Sequence, residues 1–343
     1  MSSPIMSRRT FVSGVGATAA VMTFARPTFA QESTAPTVVA TFSILADWIQ
    51  RVAGDVLTVV NLVPAGGDAH TFDPSPEQVA SIADADIIFQ IGLEFETWLD
   101  RMIESSGTTA ERITVSDGVS VLAFEESGDD HDHEEDHDHD AEATAETDHD
   151  DHDDHDDHDE NEHNHGSQDP HIWGDVQNAI IAVKNIIGTL STIDPANAAA
   201  YGTNGMAYIT ELEELDASIR TDTGTIPEDR RKLVTTHDTF GYYAHAYDFE
   251  IVGTALGSLS TEGGDPSAQE IAELVNEVKD EGVPVIFAEN VTNPDLMQSI
   301  ADEAGVELGP TLFTDALGDA DSEGSTYVDM MTYNTRVFVE ALA

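Results

Sequence analysis

The 343-residue chain carries 67 Asp and Glu against 13 Lys and Arg, a formal charge of -54, and it contains no Cys. That charge excludes nucleic acid and an anionic membrane surface as natural partners, because both repel a polyanion, and it leaves cations as the favoured ligands. The missing Cys excludes a disulfide framework, thiolate metal sites, iron–sulfur clusters and a cysteine nucleophile, while the length and a 40% hydrophobic content allow about two packed domains.

The chain opens with Ser7-Arg8-Arg9-Thr10-Phe11-Val12, a mild apolar stretch from Gly14 to Phe24, and Thr28-Phe29-Ala30 before Gln31. This is similar to a twin-arginine export signal over residues 1–30, cleaved after Ala30. The apolar stretch is too short and too rich in Gly and Ala for a permanent membrane span. No Cys follows it for lipid attachment, so a soluble periplasmic or extracellular protein without membrane insertion is expected.

Next, apolar runs alternate with amphipathic stretches. Thr37–Ser43 reads as a strand and Ile44–Gly54 as a helix closed by Gly. Val56–Val63 is a β-branched run, Pro76–Ala83 a short helix with Pro in its first turn, Asp86–Ile91 a buried strand and Glu96–Ser105 a helix. After a break, Val176–Leu190 carries a stripe of Val176, Ala179, Ile180, Val183, Ile186, Ile187 and Leu190 at helical spacing, and Ala196–Ile219 follows as a second long helix. Alternation then returns: strand Leu233–Thr236, helix Phe240–Tyr247, strand Ile251–Leu256, helix Ser267–Asp280, strand Val285–Ala288, helix Pro294–Ala304, strand Val306–Leu308. Ser325–Ala343 reads as a closing packing helix. The expected fold is α/β, two lobes flanking a helical middle, with ligands beyond the carboxyl ends of the strands in the cleft between the lobes.

The break, residues 125–165, has no Lys or Arg and holds 22 acids and 10 of the 14 His. The other 45 acids face 13 bases, a charge of -32 on the rest of the chain. Such a tract is too polar and too self-repelling to fold alone, so a disordered loop is expected. His131, His133, His137 and His139 form two His-Asp-His groups. His149, His152, His155 and His158 recur every third residue, and His163 and His165 close the tract. Imidazoles among carboxylates are expected to give weak auxiliary capture of transition metals. The acidic body, depleted in Lys, fits a high-salt host as well as the ordinary acidity of exported binding proteins.

Outside the tract lie His70, His171, His237 and His245, with no local ligand spacing such as H-E-x-x-H. Spacing alone defines no metal site, and a lone buried His is more often a hydrogen-bonded core residue. His70 sits in the Gly-rich turn Gly66-Gly67-Asp68-Ala69-His70, and His237 at the end of a strand.

Four ordered motifs add to this: Pro64-Ala65-Gly66-Gly67-Asp68-Ala69-His70-Thr71-Phe72-Asp73-Pro74, Asp169-Pro170-His171-Ile172-Trp173, Thr236-His237-Asp238-Thr239-Phe240-Gly241-Tyr242 and Phe313-Thr314-Asp315-Ala316-Leu317. With them the chain resembles the zinc/manganese substrate-binding proteins of ABC importers, from about Val38 to Leu342, and the tract falls where such proteins often insert a His-rich loop. Ala69 in place of a frequent Pro and Ala316 in place of a frequent Ser remove no ligand. The resemblance implies two Rossmann-like lobes joined by a long rigid helix, with the metal in the inter-lobe cleft. It implies an N-terminal lobe of residues 31–124 and 166–175, a linking helix at 176–193 and a C-terminal lobe at 194–343. The implied ligands are His70, His171, His237 and Asp315. Asp238, Trp173 and Glu289 are candidates to support them, each with an ordinary structural role as the alternative, and His245 matches no ligand position.

Three imidazoles and one carboxylate suit Zn(II) as transported ligand. Mn(II), which prefers more oxygen donors, and a dual Zn/Mn receptor are the alternatives. The implied partners are an ABC permease and its ATPase subunits, with the receptor a monomer that closes modestly on metal. Two other function classes are alternatives. A metal-dependent hydrolase needs an open coordination position and a general base, and four protein ligands close the site, so no enzyme is expected. A metal-buffering or adhesion protein would act without a transporter.

Overall fold

In the computed structural model, residues 35–124, 168–262 and 266–343 are described. The export-signal and His-tract readings lie outside them. Strand β1 (Val38–Phe42) is buried along its whole length and forms the centre of a parallel sheet. Helix α1 (Ser43–Ala53) follows directly, burying Ile44, Leu45, Trp48, Ile49 and Val52 on one face. Then come β2 (Val59–Val63), α2 (Pro76–Ala83), β3 (Ile87–Gln90), α3 (Leu99–Ser106) and β4 (Glu111–Thr114). The sheet order is β2-β1-β3-β4, all parallel.

Two helices occupy the middle, α4 (Val176–Ile193) and α5 (Ala198–Thr223). The second lobe holds β5 (Lys232–Thr235), α6 (Gly241–Tyr247), β6 (Glu250–Thr254), α7 (Ala268–Asp280), β7 (Val285–Ile286), α8 (Asp295–Ala304) and β8 (Glu307–Leu308). Helix α9 (Tyr327–Leu342) closes the chain. Strands β5 and β6 pair in parallel, as do β7 and β8, and the Phe287 N–H donates to the Val234 carbonyl to join the pairs. The resulting order β6-β5-β7-β8 repeats that of the first sheet. The two expected lobes are therefore present, each with a parallel sheet whose strand ends feed the loops that carry the motifs.

Helix α5 has 26 residues and is about 39 Å long at the helical rise. Its first half lies on the first lobe: Asn204 donates to the Val52 carbonyl and Arg51 stacks on the Tyr208 ring. Its second half lies on the second lobe, where Arg220 donates to the Ala246 carbonyl and the Tyr247 hydroxyl donates to Asp216. Helix α4 runs alongside it.

Several boundaries differ from the sequence reading. Strand β4 had no apolar run to announce it, because its Glu111 and Arg112 are exposed at the sheet edge. Strand β2 starts three residues late, since Val56 is still in the turn that closes α1. Helix α3 starts at Leu99 and not at Glu96 because the Glu96 carboxylate turns back to accept the N–H groups of Ile91 and Gly92. Between them Gly92, Leu93 and Glu94 all have positive φ, which a helix cannot continue through. No helix among the described residues is long and apolar enough to cross a membrane.

Two glycines of α5 separate propensity from packing. Nothing lies within 4 Å of where a Cβ would stand on Gly202, whereas at Gly205 it would meet Ile187 Cδ1 at 2.3 Å and Cγ1 at 2.4 Å. Gly202→Ala should stabilise the protein by about 1 kcal/mol through helix propensity. Gly205→Ala should instead destabilise it, because overpacking of about 1–3 kcal/mol exceeds that gain. Chemical denaturation of the two variants should show opposite signs.

Candidate metal centre

Each of the four motif residues stands just beyond a strand end. His70 follows β2, His237 lies two residues past β5, and Asp315 follows the bridge between Glu289 and Leu312. His171 follows the antiparallel bridge of Ala123 with Gln168. Although His70 and Asp315 are 245 residues apart in sequence, Nε2 of His70 is 3.2 Å from Asp315 Oδ2. His237 Nε2 is 2.9 Å from the same oxygen, and His171 Nε2 is 3.3 Å from His70 Nε2 and 3.8 Å from Asp315 Oδ1. All four residues are buried, and one ligand atom from each lies within 4.8 Å of the others.

A tetrahedral ion with bonds of roughly 2.0–2.2 Å holds its donors about 3.4 Å apart. The observed separations bracket that spacing, and all three imidazoles turn Nε2 inward. Nε2 of His237 is buried without a well-formed hydrogen bond, as expected of a nitrogen kept for an ion. Among the described residues these four are the one such group.

A second layer fixes the rings. Asp169 Oδ1 accepts the His171 backbone N–H at 2.9 Å and lies 2.7 Å from its Nδ1. Glu289 Oε1 accepts the N–H groups of Thr236 and His237, and Oε2 pairs with His237 Nδ1. Thr239 donates to Asp315 Oδ1 at 2.9 Å. A carboxylate on Nδ1 sets the tautomer that leaves Nε2 free for metal and raises its basicity. A Cβ on Gly241 would stand 2.5 Å from Asp169 Oδ2, which accounts for a glycine at that point of the third motif.

His70 is held differently. Asp68 Oδ1 accepts its backbone N–H at 2.8 Å, and its ring stands edge-on to Phe95 at 4.8 Å between centroids. Phe95 also packs on Trp173, which stands edge-on to His171 and donates to the Thr314 carbonyl. Thus Trp173 and Glu289, both candidates from the sequence, touch the site. The Asp238 side chain makes no hydrogen bond to any of the four, and His245 is exposed on α6. Asp169 and Thr239 stood inside the motifs without an assigned part, although a carboxylate two residues before a ligand His was a readable signal. Phe95 gave no signal, since only the fold brings it to His70.

The electrostatics follow from burial and proximity. Burial works against a charge on His237, yet Glu289 and Asp315 outweigh it and hold the imidazole well above its ordinary pKa. Burial likewise opposes ionisation of Asp315, but His237 and His171 hold it well below the carboxylate range. Burial pushes His70 down, more than Asp315 pulls it up. Glu96, sealed beneath the Phe95 loop, is pushed up to about 6 by burial.

Comparison with known proteins follows the same lines. Residues 38–341 match the family described as zinc-uptake complex component A, periplasmic. The manganese-binding lipoprotein MntA of Halalkalibacterium halodurans is 30% identical over 307 residues, covering 89% of this chain and 88% of that relative. The manganese ABC transporter substrate-binding lipoprotein PsaA of Streptococcus pneumoniae is 29% identical over 312 residues, covering 89% of each. Among solved structures, the periplasmic zinc-binding protein TroA of Treponema pallidum superposes with a TM-score of 0.74 at 27% identity, covering 90% of this chain and all of that one. MntA and PsaA carry lipoprotein names, whereas the 343 residues here contain no Cys.

A proton on His237 competes with metal, so binding at neutral pH should release a proton, and affinity should keep rising as pH climbs past about 6.5 toward the raised pKa of His237. Glu289→Gln should release fewer protons and bind metal 10–100-fold more weakly, by the usual cost of losing such a support. Calorimetry in buffers of different ionisation enthalpy reads both quantities.

Proposed function

The chain belongs to the periplasmic zinc-uptake component A family, whose members are metal-binding receptors of ABC importers and not enzymes, and on that premise we propose that it captures Zn(II) outside the cytoplasm and delivers it to an ABC permease and its ATPase. The observation that carries the choice of metal is the donor set, three Nε2 atoms and one carboxylate at tetrahedral spacing. Zn(II) favours four such donors, while Mn(II) seeks more oxygen. A second reading, a manganese-preferring or dual receptor, draws on the manganese names of the relatives.

His70 and His171 bind from the first lobe and His237 and Asp315 from the second, so the ion joins the lobes. Residues 35–124 and 168–175 make the first lobe in this reading. The α4–α5 pair makes the connector, with α5 spanning it, in place of 176–193 alone. A connector packed on both lobes allows modest closure and not a wide swing. The tract at 125–165 gathers zinc weakly and raises its concentration beside the cleft, export follows the twin-arginine signal, and the receptor works as a monomer. Its role in transport separates it from a metal buffer or adhesin, since deletion of the gene would then lower zinc uptake.

Calorimetric titration with Zn(II) and Mn(II), on the protein with and without residues 125–165, should show one tight site that survives removal of the tract and prefers zinc. Equal or tighter manganese binding would select the second reading, and no tight binding to the shortened protein would sink both.

A further inference from the structure

One carboxylate ties both ligand-bearing turns together across the cleft. Asp68 lies two residues before His70, and its Oδ1 accepts the His70 backbone N–H at 2.8 Å. Its Oδ2 accepts two hydroxyls, from Thr71 at 2.8 Å in the same turn and from Thr261 at 2.6 Å. Thr261 belongs to the loop after β6, in the opposite lobe, 193 residues away. That loop is braced internally, Ser258 donating to the Ser260 carbonyl and Ser260 Oγ accepting the Glu262 N–H. It is also tied to the other ligand turn, where the N–H of Asp238, the residue after His237, donates to the Ser258 carbonyl at 2.9 Å. The path therefore runs from His70 through Asp68, Thr261 and Ser258 to His237.

Resting on the metal-receptor reading, we propose that the Asp68–Thr261 hydrogen bond is a latch across the cleft that sets the residence time of the bound metal. His171 and His237 have a carboxylate on Nδ1, but no described residue hydrogen-bonds the second ring nitrogen of His70. His70 is therefore aimed by its own backbone, and Asp68 fixes that backbone. Withdrawing His70 from the ion requires its turn to leave the second lobe, which breaks the Thr261 bond. Other hydrogen bonds between the lobes run elsewhere: Gly66 N–H to the Leu317 carbonyl and Trp173 to the Thr314 carbonyl end on the backbone beside Asp315, and the Tyr242 hydroxyl donates to the Asp169 carbonyl. Among hydrogen bonds of the described residues, the latch alone joins the turn of His70 to that of His237. Its two side chains are half-buried at the rim and hydrogen-bond to none of the four inward donor atoms, so they hold the closed form without altering the donor set. Asp68 and Thr261 are positioning residues.

The test is zinc release from the full-length protein loaded with one equivalent, followed with excess chromogenic chelator, the slow phase being the one lost in Asp315→Ala. Thr261→Val keeps the shape and removes the hydroxyl. It should release zinc roughly fivefold to tenfold faster, the cost of one hydrogen bond to a charged acceptor discounted for its exposure. Stoichiometry, association rate and the melting temperature of the metal-free protein should not change. Thr261→Ser should restore the wild-type release rate, and Asp68→Asn should also release faster, which keeps the test open if Thr261→Val misfolds. Wild-type release from the Val variant, or equal acceleration in Ser and Val, overturns the latch while leaving the receptor reading intact. Absence of any slow zinc phase in the wild type overturns the receptor reading and the latch with it.

Discussion

Four polar side chains must meet inside a protein within hydrogen-bonding distance of one another, and this constraint shapes the rest of the molecule. Three imidazoles and a carboxylate whose inward atoms all lie within 4.8 Å of one another, with His237 Nε2 only 2.9 Å from Asp315 Oδ2, leave little room for error. Burying them costs free energy unless each keeps a partner. Asp169, Glu289 and Thr239 are those partners, and each sits on the same motif as its ligand or on a neighbouring strand end. Parallel sheets suit this task because every strand delivers its following loop to the same side. Two such sheets, with repeated strand order, flank the cluster, and each lobe supplies two of its four residues.

The alternation of apolar runs and helical stripes made both lobes legible before any coordinates. The stripe from Val176 to Leu190 is the clearest case, and its residues are the buried face of α4 apart from the half-buried Ile187. Where the reading slipped, side chains had overridden pattern. Glu96 has good helix propensity, but its carboxylate serves the backbone of the preceding turn. Strand β4 is an edge strand with half its residues exposed, so it has no hydrophobic signature. The clustering of these four residues could not be found from spacing, because residues 101 and 245 apart obey no local period. Motif resemblance named them, and Glu289 and Trp173 with them. Phe95 and the Asp68–Thr261 contact depend on chain crossings that no short stretch of sequence encodes.

The charge of -54 also takes on structure. The tract accounts for -22 of it, residues 1–30 offset it by +3 through Arg8, Arg9 and Arg26, and the remaining -35 belongs to residues 31–124 and 166–343. Near the centre three acids are committed: Asp315 faces the three histidines, and Asp169 and Glu289 stand behind two of them. With neutral imidazoles they would concentrate negative charge at the centre, and Glu289 and Asp315 favour a proton on His237 by holding its pKa well above the ordinary value. A divalent ion can take the place of that proton, so the attraction for cations inferred from composition has a local counterpart at the site.

The central claim is that one metal ion is held by residues from both lobes in a closed N₃O set. X-ray absorption spectroscopy on the protein loaded with one equivalent of zinc tests it most directly. The account predicts four donors, three imidazole nitrogens and one oxygen, at roughly 2.0–2.2 Å. A first shell of five or six donors, or an imidazole count unchanged by His237→Ala, would contradict it.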